Sequence, residues 1–195
     1  MAFFTDSANQ HRAHGAEPIL ARDLGGLGTA LLNLGELPRA RAVLDESLAV
    51  ARRYADPWSS AMSLMLLGHV DLAEGDATSA QAVLAEAGSL FQATGNMVYL
   101  PWYLEGLASL AAAQGGYLRA AELDGARDAL RIQTGVFLPP VHPAGYLKVV
   151  QAARDHLTPA AFDAARTRAA SKAPPQIIAA VSDWSRPSSA FTGPD

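Results

Sequence analysis

The sequence predicts an all-α protein, a right-handed α-solenoid of antiparallel helix pairs with a period of about 40 residues. Three observations predict it. Leu27-Gly28, Gly35 and Ala40 return as Leu67-Gly68, Gly75 and Ala80, and again as Leu107-Ala108, Gly115 and Ala120, each marker 40 residues after the last. Between the markers, apolar residues recur at helical spacing over helix-length segments. The breaks fall at fixed places too, where Gly95 and Gly135 occupy the position of Gly15 and Ala55. A helix pair cannot bury its apolar face alone, so a fixed period of such pairs implies stacking of one on the next.

Composition bounds the classes of function. With 195 residues, half of them hydrophobic, the chain suffices for one domain or one short array. The absence of cysteine excludes disulfides and thiolate metal sites and leaves the redox compartment open. A net charge of −4 and a pI near 5.7 argue against a nucleic-acid face. The opening Met1-Ala2-Phe3-Phe4-Thr5-Asp6 lacks the basic region of a signal peptide. No apolar run is long enough for a membrane span. These features point to a soluble cytoplasmic protein with no cofactor.

Residues 2–14 read as a short helix, the second of a repeat, because Phe4 and Ser7 lie 40 residues before Leu44 and Ser47. The helix at 18–33 takes Pro18 in its opening turn and carries Leu20, Leu24, Leu27, Leu31 and Leu34 as its apolar stripe. Gly28 on that face admits a close partner helix, Ala40 opposite it, and Gly35 stops the helix. Residues 37–54 follow, with Ala40, Val43, Leu44, Leu48 and Ala51 inward. Asp56-Pro57 caps and opens the helix at 57–73. Gly75-Asp76 stops it and caps the helix at 77–94, whose Ala80, Val83, Leu84, Ala87 and Phe91 face in. The third pair is 97–113 and 117–134, joined at Gly115-Gly116.

Beyond Gly135 the period weakens. Leu147 and Ala160 still stand 40 residues after Leu107 and Ala120, but Lys148 replaces the small residue of Gly28 and Gly68. His142-Pro143 begins a helix, Thr158-Pro159 opens another to about residue 171, and 176–184 forms a last one. The expected organisation is a partial repeat helix at 1–16, three helix pairs at 17–135, a divergent helical cap at 136–184 and a disordered tail at 185–195.

The small residue of the first helix and the alanine twelve positions later, Gly28 and Ala40, Gly68 and Ala80, Ala108 and Ala120, resemble tetratricopeptide (TPR) repeats. The usual unit of that family is shorter. The longer unit resembles the TPR-like region of MalT-type and LuxR-type bacterial regulators. Asp124-Gly125-Ala126, Ala129-Leu130-Arg131, Gly135 and Leu138-Pro139-Pro140 are similar to the segment closing the arrays of actinobacterial ATPase-type transcriptional regulators. The resemblance spans roughly residues 17–184. It implies a sensor or interaction array without the family's other modules, since no G-x-x-x-x-G-K-[ST] cradles phosphates and no helix-turn-helix accompanies it.

Chemistry-bearing patterns are sparse. His11 and His14 share a helix turn, but no third ligand joins them at metal spacing, so surface histidines are expected. No G-x-S-x-G surrounds a serine. Gly25-Gly26-Leu27-Gly28 sits inside a helix pattern rather than after a strand, which removes a nucleotide reading. Aspartates and glutamates read as solvated faces. A non-enzymatic protein or peptide-binding module is therefore expected, with a small-molecule sensor as the alternative, and neither nucleic acid nor membrane as partner. The concave groove would be lined by Arg22, Thr29 and Asn33, then Met62, Met65 and His69, then Trp102, Glu105 and Ser109. Methionine and tryptophan suit an apolar ligand or amphipathic peptide. The competing reading is that these residues are core, while Trp58 and Tyr103 pack between pairs. Weak self-association through the N-terminal end, on Phe3, Phe4 and Ala8, is also expected.

Overall fold

Left-handed backbone positions divide the chain at even intervals. φ is positive at Gly35, Ala55, Gly75, Gly95, Gly115 and Gly135, one residue in every twenty. The computed structural model describes residues 2–13, 17–95, 98–135, 143–173, 176–177 and 179–180. Among them every regular element is a helix: α1 Ala2–Ala13, α2 Glu17–Asn33, α3 Leu37–Arg53, α4 Pro57–Glu74, α5 Ala77–Thr94, α6 Leu100–Ala113, α7 Tyr117–Thr134, α8 Pro143–His156 and α9 Pro159–Ala170. None of these is long and apolar enough to cross a membrane.

The helix boundaries have local causes. Asp56 caps α4, its carboxylate accepting from the backbone N–H groups of Trp58 and Ser59 at 3.0 and 3.1 Å, and Pro57 takes the first helical position. Asp76 caps α5 through the N–H of Ser79 at 2.9 Å. Gly75 ends α4 with φ +86°, a conformation that costs a residue with a side chain about 1–2 kcal/mol. The helix expected from residue 97 begins instead at Leu100, with Pro101 in its first turn.

The chain forms two compact units, residues 1–96 and 97–195. In the first, α1 packs on α2, α2 on α3, α3 on α4 and α4 on α5, while α2 also touches α4. Ala40, Leu44, Leu64, Leu66, Ala80 and Leu84 form its fully buried centre. The close helix approaches were expected to set Gly28 against Ala40 and Gly68 against Ala80. The structure places the contact one turn further on. A Cβ on Gly28 would collide with the Leu44 side chain, and one on Gly68 would lie 2.7 Å from Leu84 Cγ. Leu34, assigned to the apolar stripe of α2, is exposed because it falls in the turn after the helix.

In the second unit α6 packs on α7, and α8 and α9 both pack on α7. Tyr103, Leu104, Leu107, Ala126, Leu130 and Phe162 fill its core. The forty-residue pattern breaks in α8 and α9. Leu147 is 68% exposed where Leu107 is buried, and Ala160 is exposed where Ala120 is buried. Tyr146, Ala153, Phe162, Ala165 and Ala169 face inward instead. The cause is α9, which lies so close on α7 that a Cβ at Gly125 would collide with the backbone of Arg166.

Candidate functional site

The nine expected groove residues belong to three first helices, six in the first unit and three in the second. In the first unit, Arg22 on α2 is exposed and sets its guanidinium over the Trp58 ring of α4, 4.8 Å from the centroid. Such a contact is worth about 0.5–1 kcal/mol at an exposed site. Thr29 is half-buried and its hydroxyl donates to the Gly25 carbonyl at 2.9 Å, so it is engaged within its own helix. Asn33 is exposed and Met62 half-buried, with Met62 Cγ 3.8 Å from where a Cβ on Gly25 would stand. Met65 has no exposed surface and His69 is 7% exposed. These two are core, as the competing sequence reading had it. The surface left on α2 and α4 is Arg22, Trp58, Met62 and Asn33.

In the second unit Trp102 is half-buried, its ring tilted against Tyr99 at a centroid distance of 5.2 Å. The Ser109 hydroxyl donates to the Glu105 carbonyl at 2.8 Å. Glu105 does not line a surface. It is 1% exposed, and Arg127 Nε donates to its carboxylate at 2.7 Å. Around that pair stands a polar cluster that spacing did not disclose. Arg127 also reaches Asp128 at 2.9 Å and lies over the Tyr146 ring at 4.8 Å. The Tyr146 hydroxyl donates to Asp124 at 2.7 Å, and Arg166 bridges Asp124, at 2.8 Å, and Asp128. Burial first, then the neighbouring Asp124 carboxylate, pushes the Tyr146 phenol well above its usual 10.0, so it stays a proton donor. A cavity of about 320 Å³ opens beside it, where Arg154 rests on Phe162 with its guanidinium 4.5 Å from the ring centroid. Carboxylates and guanidinium groups balance here, three of each, and every carboxylate accepts from an arginine or tyrosine. The arrangement fastens α6, α7, α8 and α9.

A different character belongs to the cleft between α3 and α5, floored by α4. It encloses about 510 Å³. Arg41, Asp45, Leu48 and Arg52 face it from α3, Leu64, Leu67, Asp71 and Glu74 from α4, and Asp76, Ser79, Val83 and Glu86 from the α5 side. Arg41 closes one end, reaching Asp71 at 2.6 Å and Glu74 at 2.5 Å. Arg52 and Glu86 close the other at 2.6 Å. Asp71 is only 3% exposed, and burial outweighs Arg41 in raising its pKa. The lining holds five carboxylates against two guanidinium groups.

Reading the acidic residues as solvated faces therefore fails at Asp71, Glu105 and Asp124, each buried against an arginine or tyrosine from another helix. The forty-residue offset could have disclosed two exposed ion pairs, though none of these buried ones. Arg12 pairs with Glu46 at 2.6 Å, and Arg52 with Glu86, both partners displaced by 40 positions. His11, expected at the surface, is held by Asp23 through Nδ1 at 2.6 Å. Among the described residues no three histidine or carboxylate side chains gather as a metal site. His14, His142 and Phe3 have side chains outside the described residues. Compared with protein-family models, curated proteins and solved structures, the chain finds no match.

Proposed function

We propose that this chain is a non-enzymatic, TPR-like interaction module, built from the helix pairs of a right-handed α-solenoid and acting in the cytoplasm on a protein partner. The observation that carries the reading is the recurrence of side-chain contacts at the forty-residue offset. The ion pair Arg12–Glu46 returns as Arg52–Glu86. The contact of Ser7 with Asp23, 2.7 Å, returns as Ser47 with Ser63, 2.8 Å. The close approach of Gly28 to Leu44 returns as Gly68 to Leu84. Repeated contacts of this kind make a scaffold whose successive helices offer extended surface, and such scaffolds serve recognition. The resemblance of residues 17–184 to the arrays of LuxR-type and ATPase-type bacterial regulators supports a role in transcriptional control through a partner, without direct contact to DNA.

A second reading has one observation of its own. Arg22 stacked on Trp58 beside Met62 makes a small cationic and apolar patch that suits a metabolite. Quantitative affinity capture from a native lysate, run beside a thermal-shift screen of metabolites, separates the two. A reproducible protein partner without any metabolite shift upholds the interaction module. A metabolite shift with no protein captured replaces it with the sensor.

A further inference from the structure

Resting on that reading, we propose that the cleft between α3 and α5 is the docking site for a basic segment of a partner protein, an amphipathic stretch that carries lysine or arginine. The protein contains its own control for this idea. Forty residues earlier, α1 and α3 stand on α2 as α3 and α5 stand on α4, and each second helix is tied to the next by the same ion pair, Arg12–Glu46 or Arg52–Glu86. Of the five cleft carboxylates, Asp76 and Glu86 have counterparts in Glu36 and Glu46, and the other three have none. Where the first copy has Thr5, Leu31 and Leu34, the second has Asp45, Asp71 and Glu74. Leu31 is 1% exposed and Asp71 3%, so a carboxylate stands in a packing position that leucine fills one repeat before.

That replacement opposes stability, since a buried carboxylate loses its hydration and, among the described residues, Arg41 is the one cation paired with it. Arg41 must also serve Glu74, so one guanidinium faces two carboxylates. Asp45 is exposed and, among the described residues, has no ion-pair or hydrogen-bond partner. The cleft thus holds surplus negative charge beside an apolar lining of Leu64 and Leu67 on the floor and Leu48 and Val83 on the walls. An acidic or nucleic-acid ligand is repelled. A segment with alternating apolar and cationic side chains is matched on both counts. From Arg41 to Arg52 the α3 wall runs for roughly 16 Å, the length of about three turns of a bound helix.

The probe is a fluorescein-labelled peptide of three Leu-Lys-Lys-Leu units, with its Leu-Glu-Glu-Leu counterpart, titrated by anisotropy against the full chain. Asp45→Asn combined with Glu74→Gln removes two charges from the cleft. Glu36→Gln combined with Asp163→Asn removes two elsewhere and holds net charge equal. The lysine peptide is expected to bind, to lose about tenfold in affinity with the cleft pair and to change little with the control pair. The glutamate peptide is expected not to bind. Asp45→Lys, at an exposed position that leaves the fold intact, is expected to weaken the lysine peptide at least as much as the cleft pair does. Equal losses with both pairs, no loss with either, or no binding of the lysine peptide would overturn the proposal. Those outcomes leave the lysate capture untouched, so the cleft and the interaction module fail separately.

Discussion

Ala55 holds φ +51° where Gly35, Gly75, Gly95, Gly115 and Gly135 hold the other described positive values. The side chain costs about 1–2 kcal/mol in that conformation, and glycine would return part of the gain as unfolded-chain entropy. Ala55→Gly is therefore expected to raise stability by about 0.5–1 kcal/mol, read from the urea midpoint. A lower midpoint would mean the turn is not left-handed. The glycines of α2 test packing at the same scale. A Cβ at Gly25 meets only Met62 Cγ at 3.8 Å, so Gly25→Ala is expected to gain up to about 1 kcal/mol of helix propensity. Gly28→Ala pushes on Leu44 and is expected to cost about 1–3 kcal/mol. Equal midpoints for the two variants would contradict the helix pairing. The repeat singles out Gly28, which returns as Gly68, whereas Gly25 has Met65 at its repeat position, and only the structure shows what stands opposite each.

At the scale of elements, helices were legible wherever two signals agreed. Asp56-Pro57 combines a cap with a first-turn proline and Gly75-Asp76 a stop with a cap, and α4 and α5 begin where those residues put them. Close packing in α8 and α9 was not legible, because repeat spacing pointed to Leu147 while the partner of α7 is set by Gly125. The buried cluster on α7 escaped for a similar reason: Glu105, Arg127 and Tyr146 are far apart in sequence and share no period. Its pH behaviour follows from Tyr146, whose folded pKa lies above the usual 10.0. Below pH 10 the phenol is neutral in both states, so its contribution is intact. Above it the unfolded chain ionises first, and stability falls as pH rises toward the folded pKa. Tyr146→Phe is expected to lose about 1–3 kcal/mol at neutral pH through loss of the hydroxyl that donates to buried Asp124, which keeps Arg166 as its partner. The variant should then decline less steeply than the parent between about pH 10 and 11. Parallel declines would show that Tyr146 is not shielded.

At the scale of the whole molecule, charge is distributed in a way that composition conceals. A net −4 over 195 residues reads as mild acidity. Five carboxylates nevertheless converge on one cleft, from residues that span positions 45 to 86 on three helices. Asp76 alone reads as a helix cap and the other four as solvated helix faces, and only the packing of α3 and α5 on α4 brings them together. The forty-residue offset supplies the comparison that gives them meaning, since Leu31 fills without charge the buried position that Asp71 takes. The most direct test follows the backbone amides of the ¹⁵N-labelled chain during titration with the lysine peptide. Shifts concentrated at Asp45, Leu48, Ser79 and Val83 are the expected result. Shifts centred instead on Arg22, Trp58 and Met62, or scattered over acidic residues of both units, would contradict a docking cleft between α3 and α5.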